Sequence, residues 1–207
     1  MQGKAKDFWG EEAEAARKRY KAAMSNGRGR QHEMMIEGGC RYYKDQGRAT
    51  IIKVPEPFRV LKKDRARSVA TVQFTARAQP DYIGCLAGGR MIVFEAKHTD
   101  TGRMAQRAVT PTQAAALTEY QDRGAVAAVC VGLGDSFFML PWRVFTDMKG
   151  LYGRQYVTAE DIAPWRVKFN GVILFLDYAD PRKGRLDALP TGIEKNYKKS
   201  CLDYCKI

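Results

Sequence analysis

The chain has 207 residues, 35 of them basic and 23 acidic, for a formal net charge of +12. That length predicts one domain with an appendage, and 45% apolar residues are enough to build a core. No apolar run reaches membrane-spanning length, and Met1 to Tyr20 lacks the apolar segment of a secretory signal, so a cytoplasmic protein is expected. The positive field favours polyanions, with nucleic acid ahead of an anionic membrane surface. Five scattered cysteines, Cys40, Cys85, Cys130, Cys201 and Cys205, argue against a disulfide framework. Cys85 and Cys130 lie in apolar strand-like runs and are expected in the core. With only His32 and His98 present, a His-based zinc site or a Ser-His-Asp triad has little support.

In chain order, Asp7 to Met24 reads as a charged helix, acidic early and basic late, which complements the helix dipole. Ser25 to Arg30 reads as a flexible basic turn. A second helix follows over Gln31 to Asp45, with Met35, Ile36, Tyr42 and Tyr43 as candidate buried positions and Gly47 as its stop. Ala49 to Val54 is a strand ended by Pro55-Glu56-Pro57. A strongly basic segment, Arg59 to Arg77, comes next, and Ser68 to Thr75 within it alternates as a strand does. Asp81 to Leu86 and Arg90 to Lys97 are strands joined by the turn Ala87-Gly88-Gly89. Pro111 to Arg123 is a helix, Ala125 to Leu133 a buried central strand, and Phe137 to Leu140 a further strand. Thr158 to Ile162 suggests the start of a short helix, and Val172 to Leu176 a late strand. Trp142 and Trp165 are expected as core or interface anchors. The expected organisation is a charged helical arm over 1–25, a main domain over 26–179 and a basic tail over 180–207. The order of elements describes one α/β domain with a mixed sheet.

The chemistry concentrates at the hairpin. Side chains alternate along a strand, so Glu95 and Lys97 share one face while Phe94 and Ala96 share the other. The hairpin brings Asp81 beside Glu95, so two carboxylates and an ammonium converge. Such a point suits a hard divalent cation with oxygen ligands, and a metal with an adjacent lysine suits phosphodiester hydrolysis. The alternative is a strand-edge aspartate beside a surface ion pair, since an acid two residues ahead of a lysine is common.

The segments Asn26-Gly27-Arg28-Gly29, Glu33 with Tyr42-Tyr43, Lys53-Val54-Pro55-Glu56-Pro57, Asp81-Tyr82-Ile83-Gly84, Gly89-Arg90, Phe94 to Thr99, Gln113 and Phe137 to Leu140 come in an order that resembles the RecU-type Holliday junction resolvases of the PD-(D/E)xK nuclease superfamily. The similarity covers roughly Asn26 to Ile162. Gly27 interrupts the family's Asn-Arg-Gly, and Thr112 replaces its usual histidine. Phages carry diverged, compact resolvases of this type, and the chain is similar to those as well.

The resemblance implies a restriction-endonuclease-like mixed sheet flanked by helices, with a protruding basic β-stalk at about residues 62–78. It implies Mg²⁺, with Mn²⁺ as the alternative, held by Asp81, Glu95 and the carbonyl of Ala96. Lys97 would position or activate the attacking water, Glu33 would add a carboxylate at the edge, and Gln113 would brace Lys97 or the scissile phosphate. Arg28, Arg30, Lys62, Lys63, Arg65, Arg67 and Arg77 are the expected DNA contacts, made to phosphate rather than to bases. The implied activity is resolution of four-way junctions in DNA recombination and repair by symmetric paired nicks that leave 5′-phosphates. The implied partners are branched DNA, a second copy of the chain and a recombinase. Two other readings stand beside it: a nuclease of the same fold acting on duplex or flap DNA, and a non-catalytic junction-binding protein.

Overall fold

A single helix of 42 residues, α1 (Lys4–Asp45), opens the fold. The structure, a computed structural model, describes residues 4–75 and 79–179, without the side chains of many residues ahead of 26 and of Phe74. The expected turn at Ser25 to Arg30 is absent, because α1 runs through it. The physical reason is a matter of magnitude. Gly27 and Gly29 each cost about 1 kcal/mol in a helix, which weakens it without breaking it, and no proline interrupts the segment. The expected arm over 1–25 is thus continuous with the helix that packs on the sheet. The expected tail, 180–207, with Cys201 and Cys205, lies outside the described residues.

The remaining elements are β1 (Ala49–Lys53), β2 (Phe58–Asp64), β3 (Val69–Phe74), β4 (Tyr82–Leu86), β5 (Met91–Thr99), β6 (Arg103–Ala105), α2 (Pro111–Asp122), β7 (Val126–Leu133), β8 (Ser136–Pro141), α3 (Trp142–Thr146), α4 (Met148–Tyr152), β9 (Tyr156–Thr158), β10 (Val167–Phe169) and β11 (Ile173–Tyr178). The central sheet has the order β1-β4-β5-β7-β8. Only β5 and β7 pair in parallel; the other neighbours in this sheet are antiparallel. This is the mixed α/β sheet expected. Every residue of β7 is buried, which explains its unbroken apolar run.

An aromatic column covers one face of the sheet. Tyr43 of α1 packs edge-on against Phe175 at 5.0 Å, Phe175 lies 5.1 Å from Phe94, and Phe94 stacks on Tyr82 at 4.8 Å. Each such pair contributes about 0.5–1.5 kcal/mol beyond its buried area. The Tyr43 hydroxyl donates to Asp177 at 3.1 Å and accepts from the Leu176 amide at 2.9 Å. Gly38 and Gly39 let α1 approach this closely: a Cβ at 39 would stand 2.2 Å from the Ile173 carbonyl oxygen. Tyr42, an expected core residue, is instead 37% exposed, because the adjacent position on α1 turns away from the sheet.

The opposite face is covered by α2 and α3, with Leu117 buried and the Trp142 indole donating to Thr118 at 3.0 Å. Trp142 and Trp165 are both core residues. That cover stops short of the β1–β4 edge, where Thr50 opposes Cys85 and Ile52 opposes Ile83. Cys85 is therefore exposed rather than in the core, and Ile52 is 60% exposed, whereas Cys130 is buried as expected.

Thr158 to Ile162, expected to start a short helix, is a turn, and a 3-10 helix follows it at Ala163–Trp165. The Asp161 carboxylate accepts from the Thr158 amide at 2.7 Å and its hydroxyl at 3.0 Å, and it pairs with Arg154, which holds the segment as a turn after β9. The short helices α3 and α4 follow Pro141 without an amphipathic period long enough to read from sequence.

His32 carries a consequence for acid stability. It is 2% exposed, stacked on Phe137 at 5.7 Å, and its pKa is pushed down to about 3, by burial first and by nearby His98 second. The native state therefore holds His32 neutral where the unfolded chain protonates it. Its contribution is complete above about pH 6.5 and is lost as pH falls towards about 3. Between pH 7 and pH 5 wild type should lose about 2 kcal/mol more than His32→Gln, measured by urea unfolding at the two pH values.

Candidate active site

The β4–β5 hairpin closes through Gly88 and Gly89, at φ of 91° and 89°, which an L side chain rarely adopts. Its register sets Tyr82 opposite Phe94. One step further puts Asp81 beside Glu95. Asp81 Oδ2 accepts from the backbone amide of Ala96 at 2.9 Å, which fixes the aspartate against the strand that carries Glu95 and Lys97.

Glu95 is fully buried in the middle of the sheet. Its Oε2 accepts from the Gln113 side-chain amide at 2.6 Å and lies 3.0 Å from Lys97 Nζ. Its Oε1 is buried with no hydrogen-bond partner. The pKa of Glu95 is raised to about 7, by burial first and by the Asp81 charge second, and Lys97 only partly offsets these. Two carboxylates are held together against their repulsion, which a shared proton or a bound cation relieves. Groups so perturbed cluster at functional sites.

Gln113 reaches Glu95 because the start of α2 is rigid. Thr110 and Gln113 form a capping box: the Thr110 hydroxyl accepts from the Gln113 amide at 3.3 Å, and the Gln113 carbonyl oxygen accepts from the Thr110 amide at 3.0 Å. The other end of the side chain is then free for Glu95. The brace thus falls on Glu95 rather than on Lys97.

Glu33 stands at the edge. Its carboxylate pairs with Lys53 at 2.8 Å, and Glu37 lies 3.6 Å from the same ammonium. Lys53 opposes Tyr82 across β1 and β4, and the Val54 amide donates to the Asp81 carbonyl at 2.8 Å, so this cluster borders Asp81. Lys53 opens the segment Lys53-Val54-Pro55-Glu56-Pro57 quoted for the resemblance, which gave it no role; the fold brings it to Glu33 and Glu37.

The expected DNA contacts are distributed unevenly. Lys62, Lys63, Arg65 and Arg67 sit on or between β2 and β3, a two-stranded hairpin apart from the central sheet with β2 exposed throughout. At about 3.3 Å per residue, β2 reaches roughly 23 Å. The hairpin begins at Phe58, ahead of the expected stalk start, because a strand with neither face buried carries no periodic signal. Asp64 braces its turn by accepting from the amides of Ala66 at 3.1 Å and Arg67 at 3.2 Å. Arg28 is ion-paired with Asp100, Arg30 is exposed, and Arg77 lies outside the described residues.

The family model described as "Recombination protein U" matches residues 27–181, well over half of the chain. The chain belongs to the Recombination protein U family. All of the hairpin, Gln113, Glu33, Lys53 and the β2–β3 stalk fall inside the matched span, and most of the helical arm precedes it. No curated protein sequence matches the chain. Among solved structures, a Holliday junction resolvase of the archaeal hyperthermophile Archaeoglobus fulgidus is similar with a TM-score of 0.40 and 12% identity, over 62% of this chain and 89% of that one. No helix among the described residues is long and apolar enough to cross a membrane.

Proposed function

We propose that this chain is a divalent-metal-dependent endonuclease that resolves four-way DNA junctions, with Asp81, Glu95 and Lys97 as its centre. The observation that carries the reading is Glu95: a fully buried carboxylate beside Asp81, with Oε1 unpartnered. Burying such a group is costly unless something satisfies it, and a cation between two carboxylates does so.

The residues fit a hard cation such as Mg²⁺, with Mn²⁺ as the alternative. Asp81, Glu95 through Oε1, and the Ala96 carbonyl would hold it, since Gln113 and Lys97 already occupy Oε2. Bound there, the cation would polarise the phosphodiester and acidify a water. Gln113 keeps Glu95 from rotating, so that Oε1 stays presented. Lys97, with its side chain 20% exposed, is the partly solvent-accessible donor of the site; it would orient the attacking water and stabilise charge on the phosphoryl oxygens. Glu33, paired with Lys53, adds negative charge at the edge. In-line attack of water on phosphorus would break the P–O3′ bond, leaving a 5′-phosphate on one strand end and a 3′-hydroxyl on the other.

The stalk supplies the branch preference. Its lysines and arginines meet phosphates without reading bases, so recognition rests on shape. Two copies of the chain place two such centres on opposed strands, as paired nicking requires. A junction and a linear duplex of the same sequence, each with Mg²⁺ and with EDTA, test the reading. Cutting confined to the junction and abolished by EDTA is expected. Equal cutting of both would discard the branch preference, and binding without cutting would leave a junction-binding protein.

A further inference from the structure

Beside the start of α2 lies a cavity of about 740 Å³ that no step above uses. Pro111 and Ala114 line it, and Gln113 between them reaches Glu95, so the start of α2 separates the cavity from the carboxylates. On one side the wall is apolar, with Trp142 and Phe145 at its base, both buried. The rim is basic, with Arg103 and Arg107 exposed.

The β6–β9 ladder sets this up. Met104 opposes Val157 and both are buried, so their neighbours Arg103, Ala105 and Tyr156 turn to the other side. Two guanidiniums lie over the Tyr156 ring, Arg154 at 4.8 Å and Arg103 at 5.2 Å. Arg154 is held by its ion pair with Asp161. Arg103 makes no ion pair with any described residue.

These features select a ligand class. The volume lies within the roughly 300–1,000 Å³ of ligand pockets and is far beyond the needs of one water. The arginines disfavour a cation, and the aromatic base has nothing to offer a bare phosphate. A flat π-system joined to an anion satisfies both parts. We propose that the cavity takes one unstacked nucleobase of the strand being cut, stacked on the Arg103 guanidinium that Tyr156 backs, with an adjoining phosphate at Arg107. The proposal rests on the nuclease reading above, which brings a DNA strand to this side of α2; unstacking one of its bases costs a few kcal/mol, about what stacking on the protein returns.

Junctions with a single abasic site, moved base by base across the exchange point, test it. Binding is measured in EDTA and cutting in Mg²⁺, for wild type, Arg103→Ala and Tyr156→Ala. One abasic position should weaken wild-type binding and slow cutting by about tenfold, the effect of losing one stacked base. Each variant should lose about as much on the intact junction and lose nothing further on that abasic one. Losses that multiply, or an absence of any sensitive position, would overturn the proposal. So would a free nucleoside monophosphate that binds wild type but not Tyr156→Ala while no abasic position matters, since the cavity would then serve a free nucleotide. Arg103 is exposed, so its variant keeps the test open should Tyr156→Ala fail to fold. The binding arm stands without cutting: a chain that binds junctions with the expected coupling yet never cuts them fails the nuclease reading and keeps the cavity.

Discussion

Glu95→Gln is expected to lower metal-dependent junction cutting on the order of 10³-fold while leaving the metal-free protein at least as stable above pH 7. The two effects have one cause. Glu95 is buried beside Asp81, and its pKa is raised to about 7 from 4.5. The native state therefore holds a proton that the unfolded chain has released. Stability from this group is complete below about pH 4.5 and is lost as pH rises through about 7. In EDTA, the unfolding midpoint of wild type should fall across that window relative to that of Glu95→Gln, which has no charge to bury. Saturating Mg²⁺ should restore wild type at pH 8 and leave the variant unmoved, because a ligand stabilises only the state that binds it. Thermal unfolding at pH 5 and pH 8, with and without metal, checks both halves. A variant less stable than wild type at pH 8 in EDTA would make Glu95 a structural ion-pair partner of Lys97 instead.

Neutralising the stalk should be nearly as severe, through affinity rather than chemistry. Replacing Lys62, Lys63, Arg65 and Arg67 with glutamine should weaken junction binding on the order of 10²-fold at moderate salt. The plot of log affinity against log salt should become shallower by about 3 to 4, since each phosphate that is no longer neutralised removes about 0.9 from the slope. The fold should be unaffected, since all four side chains are exposed and form no part of the core. Binding titrations at several salt concentrations give the slope directly. An unchanged slope would mean that this hairpin does not meet the phosphates.

The β4–β5 hairpin is legible in the sequence because its determinants are local. Gly88-Gly89 marks the turn, and strand alternation alone puts Glu95 and Lys97 on one face. The environment of Glu95 is not legible. Its burial depends on α2 crossing that face, and its partner Gln113 is delivered by a capping box whose purpose appears only when α2 meets β5. Glu33 is expected at the edge of the site, but the lysine that holds it comes from β1, and a tertiary ion pair leaves no periodic signal. The unbroken α1 escapes a sequence reading for a different reason. Local punctuation at Ser25 to Arg30 favours a turn, and the helix absorbs two glycines without breaking. The stalk strand β2 is obscured because it buries neither face, so only its charge stands out.

A supercoiled plasmid that extrudes a cruciform, cut with Mg²⁺ by wild type and by Asp81→Asn, tests the central claim most directly. Paired nicks made within one binding event linearise the plasmid, whereas independent nicks accumulate open circles. Linear product with ligatable 5′-phosphate ends at the cruciform is expected from wild type, and no cutting from Asp81→Asn. Open circles alone, cuts scattered outside the cruciform, or equal cutting by Asp81→Asn would contradict it.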